Sequence, residues 1–148
     1  MTWLVQLVTA GLSSLGFSIL YNVRGRRLLI VTLGGLLTWG AYLALNLVLD
    51  NEAGRYFLAA VIATVYSELF ARVCKTPTTS FLVPSIIPLI PGGLLYYTMQ
   101  AAVGGDWDGF VTNGSRTIAL AVSLAAGIMV VSSVRKMMTA AGRRRGKR

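Results

Sequence analysis

The chain of 148 residues has no histidine, which removes histidine-based triads and histidine metal sites from consideration. Its one cysteine, Cys74, permits no internal disulfide and says little about redox compartment. Acids are scarce: five Asp and Glu stand against fourteen Lys and Arg, for a net charge of +9. Charged residues make up 13% of the chain, about half the ~25% of a soluble domain. No metal cluster and no nucleophile–base spacing can be assembled from what remains, so neither an enzyme nor a cofactor is expected. Proline is confined: all four prolines lie between Pro77 and Pro91.

What is present is apolar. Hydrophobic residues make up 55%, and the mean hydropathy is +0.66. That composition describes an all-α integral membrane protein of one transmembrane domain. Five apolar segments follow one another, at about residues 2–23, 28–49, 56–73, 81–103 and 112–134, and a basic tail occupies 135–148. The first segment has no charged leader and is longer than a signal-peptide core, so it reads as a retained span.

Charge sets the expected topology. If the loop after the first span is cytoplasmic, twelve of the fourteen basic residues fall inside, leaving Arg55 and Arg116 outside. Asp50, Glu52, Asp106 and Asp108 fall outside. The positive-inside rule then puts the N-terminus outside and the C-terminus in the cytoplasm. Trp3, Tyr21, Tyr56 and Trp107 fall near interfaces, where amphipathic rings are favoured. The run Arg143-Arg144-Arg145-Gly146-Lys147-Arg148 is better read as a lipid anchor than as a nucleic-acid patch, because everything before it is in lipid. Small residues recur at helix spacing as Gly40 and Ala44, Ala59 and Ala63, and Ala119, Ser123 and Gly127. Such faces let helices approach closely.

The fourth segment carries the strongest local signal. Proline donates no backbone hydrogen bond, so Pro84, Pro88 and Pro91 would free the carbonyls of Ser80, Pro84 and Ile87. Hydrocarbon does not tolerate free carbonyls without protein, water or ligand to satisfy them. Gly92 and Gly93 follow at once. The expectation is a helix broken near mid-membrane, its second half starting with free N–H groups at Gly92, Gly93 and Leu94. A helix N-terminus of this kind suits an anionic group, and transporters use interrupted helices to bind substrate. The run Pro84, Ser85, Ile87, Pro88, Pro91, Gly92, Gly93 and Leu94 is therefore the candidate seat for a small carboxylate-bearing substrate. A kinked helix with prolines serving shape alone is the competing reading.

Glu68 is the only acid inside a span. An ionisable group there is a functional hypothesis by default, here the carriage of a coupling proton. Arg72 lies one turn on, so a structural Glu68–Arg72 ion pair is the alternative.

The run Val83-Pro84-Ser85-Ile86-Ile87-Pro88-Leu89-Ile90-Pro91-Gly92-Gly93-Leu94-Leu95-Tyr96, preceded by Glu68, Ala71-Arg72 and Thr76-Pro77, resembles the threonine/serine exporter family. The whole chain is similar to that family's short, separately encoded subunit, its first two spans only in hydropathy. The resemblance implies a proton-driven exporter of threonine and serine, or of a dicarboxylate such as succinate, in a prokaryotic inner membrane. It also implies a larger membrane subunit as partner. Five thin helices enclose little volume, which independently suggests a hetero-oligomer, with a homo-oligomer as the other expectation. A non-transporting assembly or regulatory subunit is the alternative function.

Overall fold

The chain is described from a computed structural model, which covers the backbone of residues 2–145 and the side chains of 2–139. Six helices follow: α1 (Thr2–Leu20), α2 (Arg26–Leu45), α3 (Glu52–Val73), α4 (Thr79–Ile86), α5 (Gly92–Gly104) and α6 (Trp107–Arg145). A 3-10 turn, Ile87–Leu89, extends α4. No strand occurs among the described residues. Of the basic tail, residues 135–145 continue α6, while Gly146, Lys147 and Arg148 lie outside the described residues.

The helix ends follow from local chemistry. Asn51 opens α3: its Oδ1 accepts from the N–H groups of Ala53, at 3.0 Å, and Gly54. Glu52 then falls in the first turn, where negative charge is favoured. Asp106 opens α6 in the same way, accepting from Gly109 N–H at 3.0 Å. The stretch 104–109, which falls between the fourth and fifth apolar segments, is therefore partly helix, and α6 starts at Trp107. Gly105, with φ 74°, closes α5 in the left-handed conformation that glycine adopts without strain. α6 has 39 residues, ~58 Å of helix, so it projects well beyond a ~30 Å hydrocarbon layer.

α3 is the central helix. Ala59, Ala60, Ala63, Thr64 and Ser67 are fully buried, so its neighbours pack almost onto its backbone. Tyr56, Ala59 and Ala60 share a core with Leu89 and Leu120, and Val31, Ala71 and Phe81 form a second cluster. Large apolar side chains such as Leu4, Leu20, Leu47, Val103 and Ile118 point outward, as lipid requires.

The close approaches are only partly those expected. Ala59 and Ala63 are buried, and Gly127 sits where a Cβ would meet the Phe57 carbonyl at 2.6 Å. Ala119 and Ala44 are exposed. α2 instead uses Gly34 and Gly35: a Cβ at either would overlap Ser85 or Ser14. The reason is that the face α2 turns inward is set by α1 and α4 together, and those touch it at mid-helix.

α3 and α6 run parallel, braced at both ends. Near their starts Arg116 meets Glu52 at 2.6 Å, and near the other end Arg135 meets Glu68 at 3.4 Å. Gly127 against Phe57 falls between. Two parallel helices joined through α4 and α5 require that the joining segment cross back. α4 and α5 meet at a bend of 58°, and together they make one broken span. The fold thus has five crossings, the fourth broken at Pro-Gly, so α1, α3 and α6 run in the same direction and the start of α1 lies on the opposite side from the end of α6.

Candidate functional site

The break is built from two faces with different partners. Its inner face belongs to the bundle. Pro84, Ser85 and Leu89 are buried. The carbonyl of Pro84, freed by Pro88, accepts the Ser14 hydroxyl at 2.9 Å. The carbonyl of Ile87, freed by Pro91, accepts the N–H of Ile90 at 3.1 Å. Of the three carbonyls expected to be free, those of Pro84 and Ile87 are thus taken, one by a side chain 70 residues away. Ser85 packs on Gly34, its hydroxyl 3.4 Å from the Val31 carbonyl, so it serves helix packing rather than an open site.

The outer face is different. Pro91 caps α5, and Gly92 and Gly93 form its first two residues. The N–H of Gly92 donates to Ile90 O at 2.7 Å, closing a tight turn. Among the described residues, the N–H groups of Gly93 and Leu94 have no acceptor. Nothing lies within 4 Å of where a Cβ of Gly92 or Gly93 would stand. These glycines therefore open onto the surface of the chain and do not face a cavity within it. Pro88, between the two faces, borders a groove of about 290 Å³ with Gln6, Thr9, Ser13 and Trp39. The indole N–H of Trp39 is buried without a partner among the described residues. The polar residues Gln6, Thr9 and Ser13, spaced by three and four along α1, were the signal that sequence reasoning passed over.

The second region lies where α3, α4 and α6 meet. A cavity of about 670 Å³ is lined by Glu68, Thr78, Thr79, Ser132, Arg135 and Lys136. Glu68 is 7% exposed. Its cation is Arg135 and not Arg72, which is exposed. Arg72 stands one turn closer to the end of α3, where its long side chain reaches polar surroundings more cheaply than it reaches a buried acid. The sequence reading had Arg135 only as the first charge of the tail. The missed signal was depth: in the expected topology, Glu68 and Arg135 occupy the same end of adjacent spans.

The geometry around Glu68 is loose. Arg135 Nη1 donates to Thr78 Oγ1 at 2.7 Å and stands 3.4 Å from the Glu68 carboxylate. That exceeds the ~2.7–2.9 Å of a charge-assisted hydrogen bond. Among the described residues no donor hydrogen-bonds Glu68, and no three or more Cys, Asp or Glu side chains cluster to hold a metal.

A family model described as Threonine/Serine exporter, ThrE, matches residues 6–134. Comparison with curated proteins and with solved structures gives no match.

Proposed function

The chain belongs to the threonine/serine exporter family, and on that premise we propose that it is one subunit of a proton-driven exporter of threonine and serine. It is a multi-pass membrane protein. Its place is the inner membrane of a prokaryote, with the N-terminus outside and the C-terminus in the cytoplasm, which the distribution of basic residues supports. It works with a larger membrane subunit.

The observation that carries this reading is the surface position of the α5 N-terminus. Two N–H groups in the middle of a span, at Gly93 and Leu94, have no acceptor among the described residues. Hydrocarbon would leave them unsatisfied at a cost of several kcal/mol. A substrate carboxylate held between this face and a partner subunit would satisfy them, aided by the partial positive charge of the helix start. The open space beside Gly92 and Gly93 gives the partner backbone room to approach.

The test is export of labelled threonine from cells lacking the chain. Returning it together with its larger partner restores export, and a protonophore abolishes it. Either subunit alone gives little. Full-rate transport by this chain alone in liposomes would overturn the partner requirement. Full export by the partner alone would make this chain an assembly subunit.

A further inference from the structure

We propose that the cavity between α3, α4 and α6 is the loading site of the exporter and takes a zwitterionic amino acid by exchanging the Glu68–Arg135 pair for two pairs with the substrate. This rests on the exporter reading above and adds a second site to it, at the opposite end of α4 from the break.

Three observations converge. The cavity, at about 670 Å³, falls within the ~300–1,000 Å³ of small-molecule sites. Its charges are mixed: one buried carboxylate, Glu68, and two cations, Arg135 and Lys136. Its acid is under-used. A carboxylate so buried ordinarily accepts several hydrogen bonds, yet Glu68 accepts none among the described residues. Its one cation sits at 3.4 Å and is committed to Thr78. The vacant acceptor capacity lines an open volume, which is what an α-ammonium group requires. Arg135 rotated off Thr78 offers a forked donor to the α-carboxylate. Lys136, with no acid partner among the described residues, adds to the same positive side. Thr78 and Thr79 supply hydroxyls to a substrate hydroxyl.

The arrangement separates substrate classes. A zwitterion places its cation on Glu68 and its anion on Arg135, so no charge is left buried and unpaired. A dicarboxylate would set a second anion against Glu68, which costs rather than contributes. From this cavity the α4 arm with its 3-10 turn, eleven residues and ~16 Å, leads to the break at Pro91–Gly93. Substrate loaded at one end of α4 is then passed to the N–H groups at the other.

The test places a thiol in the cavity. Ser132→Cys in a Cys74→Ser background is labelled with a small maleimide in membrane fragments open on both sides. L-Threonine and L-serine slow the labelling. Threonine methyl ester, N-acetylthreonine and succinate do not, each lacking one of the two charges or carrying the wrong one. Adding Glu68→Gln or Arg135→Gln raises the half-protecting threonine concentration about ten- to a hundredfold, the loss expected for one charge-assisted contact. Labelling without ligand reports whether each variant keeps its fold, and if one does not, the ligand series on Ser132→Cys alone decides. Threonine efflux by the same variant is measured alongside. Efflux without protection overturns the loading site and leaves the exporter reading standing. Equal protection by succinate overturns the zwitterion assignment. Protection without efflux in the intact system upholds the site and counts against the exporter reading.

Discussion

Replacing Ser14 by alanine removes the hydroxyl that meets the Pro84 carbonyl at 2.9 Å. That carbonyl has no helical donor, because the residue four positions on is Pro88. Ser14 and Pro84 are both buried. A buried acceptor left without a partner costs ~1–3 kcal/mol in water-soluble proteins, whereas hydrogen bonds inside membrane bundles average ~0.6 kcal/mol. The second figure reflects alternative partners that a bundle finds in its reference state. Here the alternatives are few, since the Ser85 hydroxyl is turned to the Val31 carbonyl. The expected loss for Ser14→Ala is therefore ~1–2 kcal/mol. Ser13→Ala, which loses only a bond to the Ala10 carbonyl in its own helix, should cost under ~0.5 kcal/mol. The sharper test is a double-mutant cycle. Pro88→Ala supplies an N–H that can satisfy Pro84 directly, so Ser14→Ala should cost little in that background. A coupling of ~1 kcal/mol is expected, measured by detergent-induced unfolding followed by circular dichroism. Strict additivity of the two changes would refute the view that Ser14 replaces the hydrogen bond that Pro88 removes.

Three further outcomes follow from the same geometry. Gly127→Leu drives a side chain into the Phe57 carbonyl and Ala60, so α3 and α6 separate and stability falls by ~1–3 kcal/mol in the same unfolding assay. Gly92→Val and Gly93→Val meet open space within the chain, so insertion and stability of the isolated chain should be unchanged while, on the proposed function, threonine export is lost; normal export at normal expression would remove the break from the mechanism. Arg135→Gln strands the Glu68 carboxylate and should destabilise the chain by ~1–3 kcal/mol, below the value for a fully buried pair because Arg135 is partly exposed, and Glu68→Gln in the same chain should recover most of the loss. Arg72→Gln should stay within ~0.5 kcal/mol in the same measurement.

The amino-acid sequence by itself determined the membrane class, the five crossings and the place of the break. Those properties are one-dimensional. Apolar run length is set by bilayer thickness, the alternation of basic loops by the positive-inside rule, and the break by prolines that no neighbour can restore to helix. Membership of the exporter family was legible for a similar reason, since the Pro-Leu-Ile-Pro-Gly run and its flanking Glu68, Arg72 and Pro77 are contiguous or nearly so. Only the tertiary structure decided which groups meet. Glu68 has a cation four residues away on its own helix, yet its partner is Arg135, because parallel packing of α3 and α6 brings that residue to the same depth while Arg72 turns outward. The Pro84 carbonyl could be called vacant from the proline spacing, but not that Ser14 fills it from α1. The two sides of the break were likewise undecidable from spacing, since Pro84, Ser85 and Gly93 lie within ten positions but face opposite ways. A bend of 58° between α4 and α5 turns the first two into the bundle and the last onto its surface, and a bend direction depends on which neighbours pack against each arm.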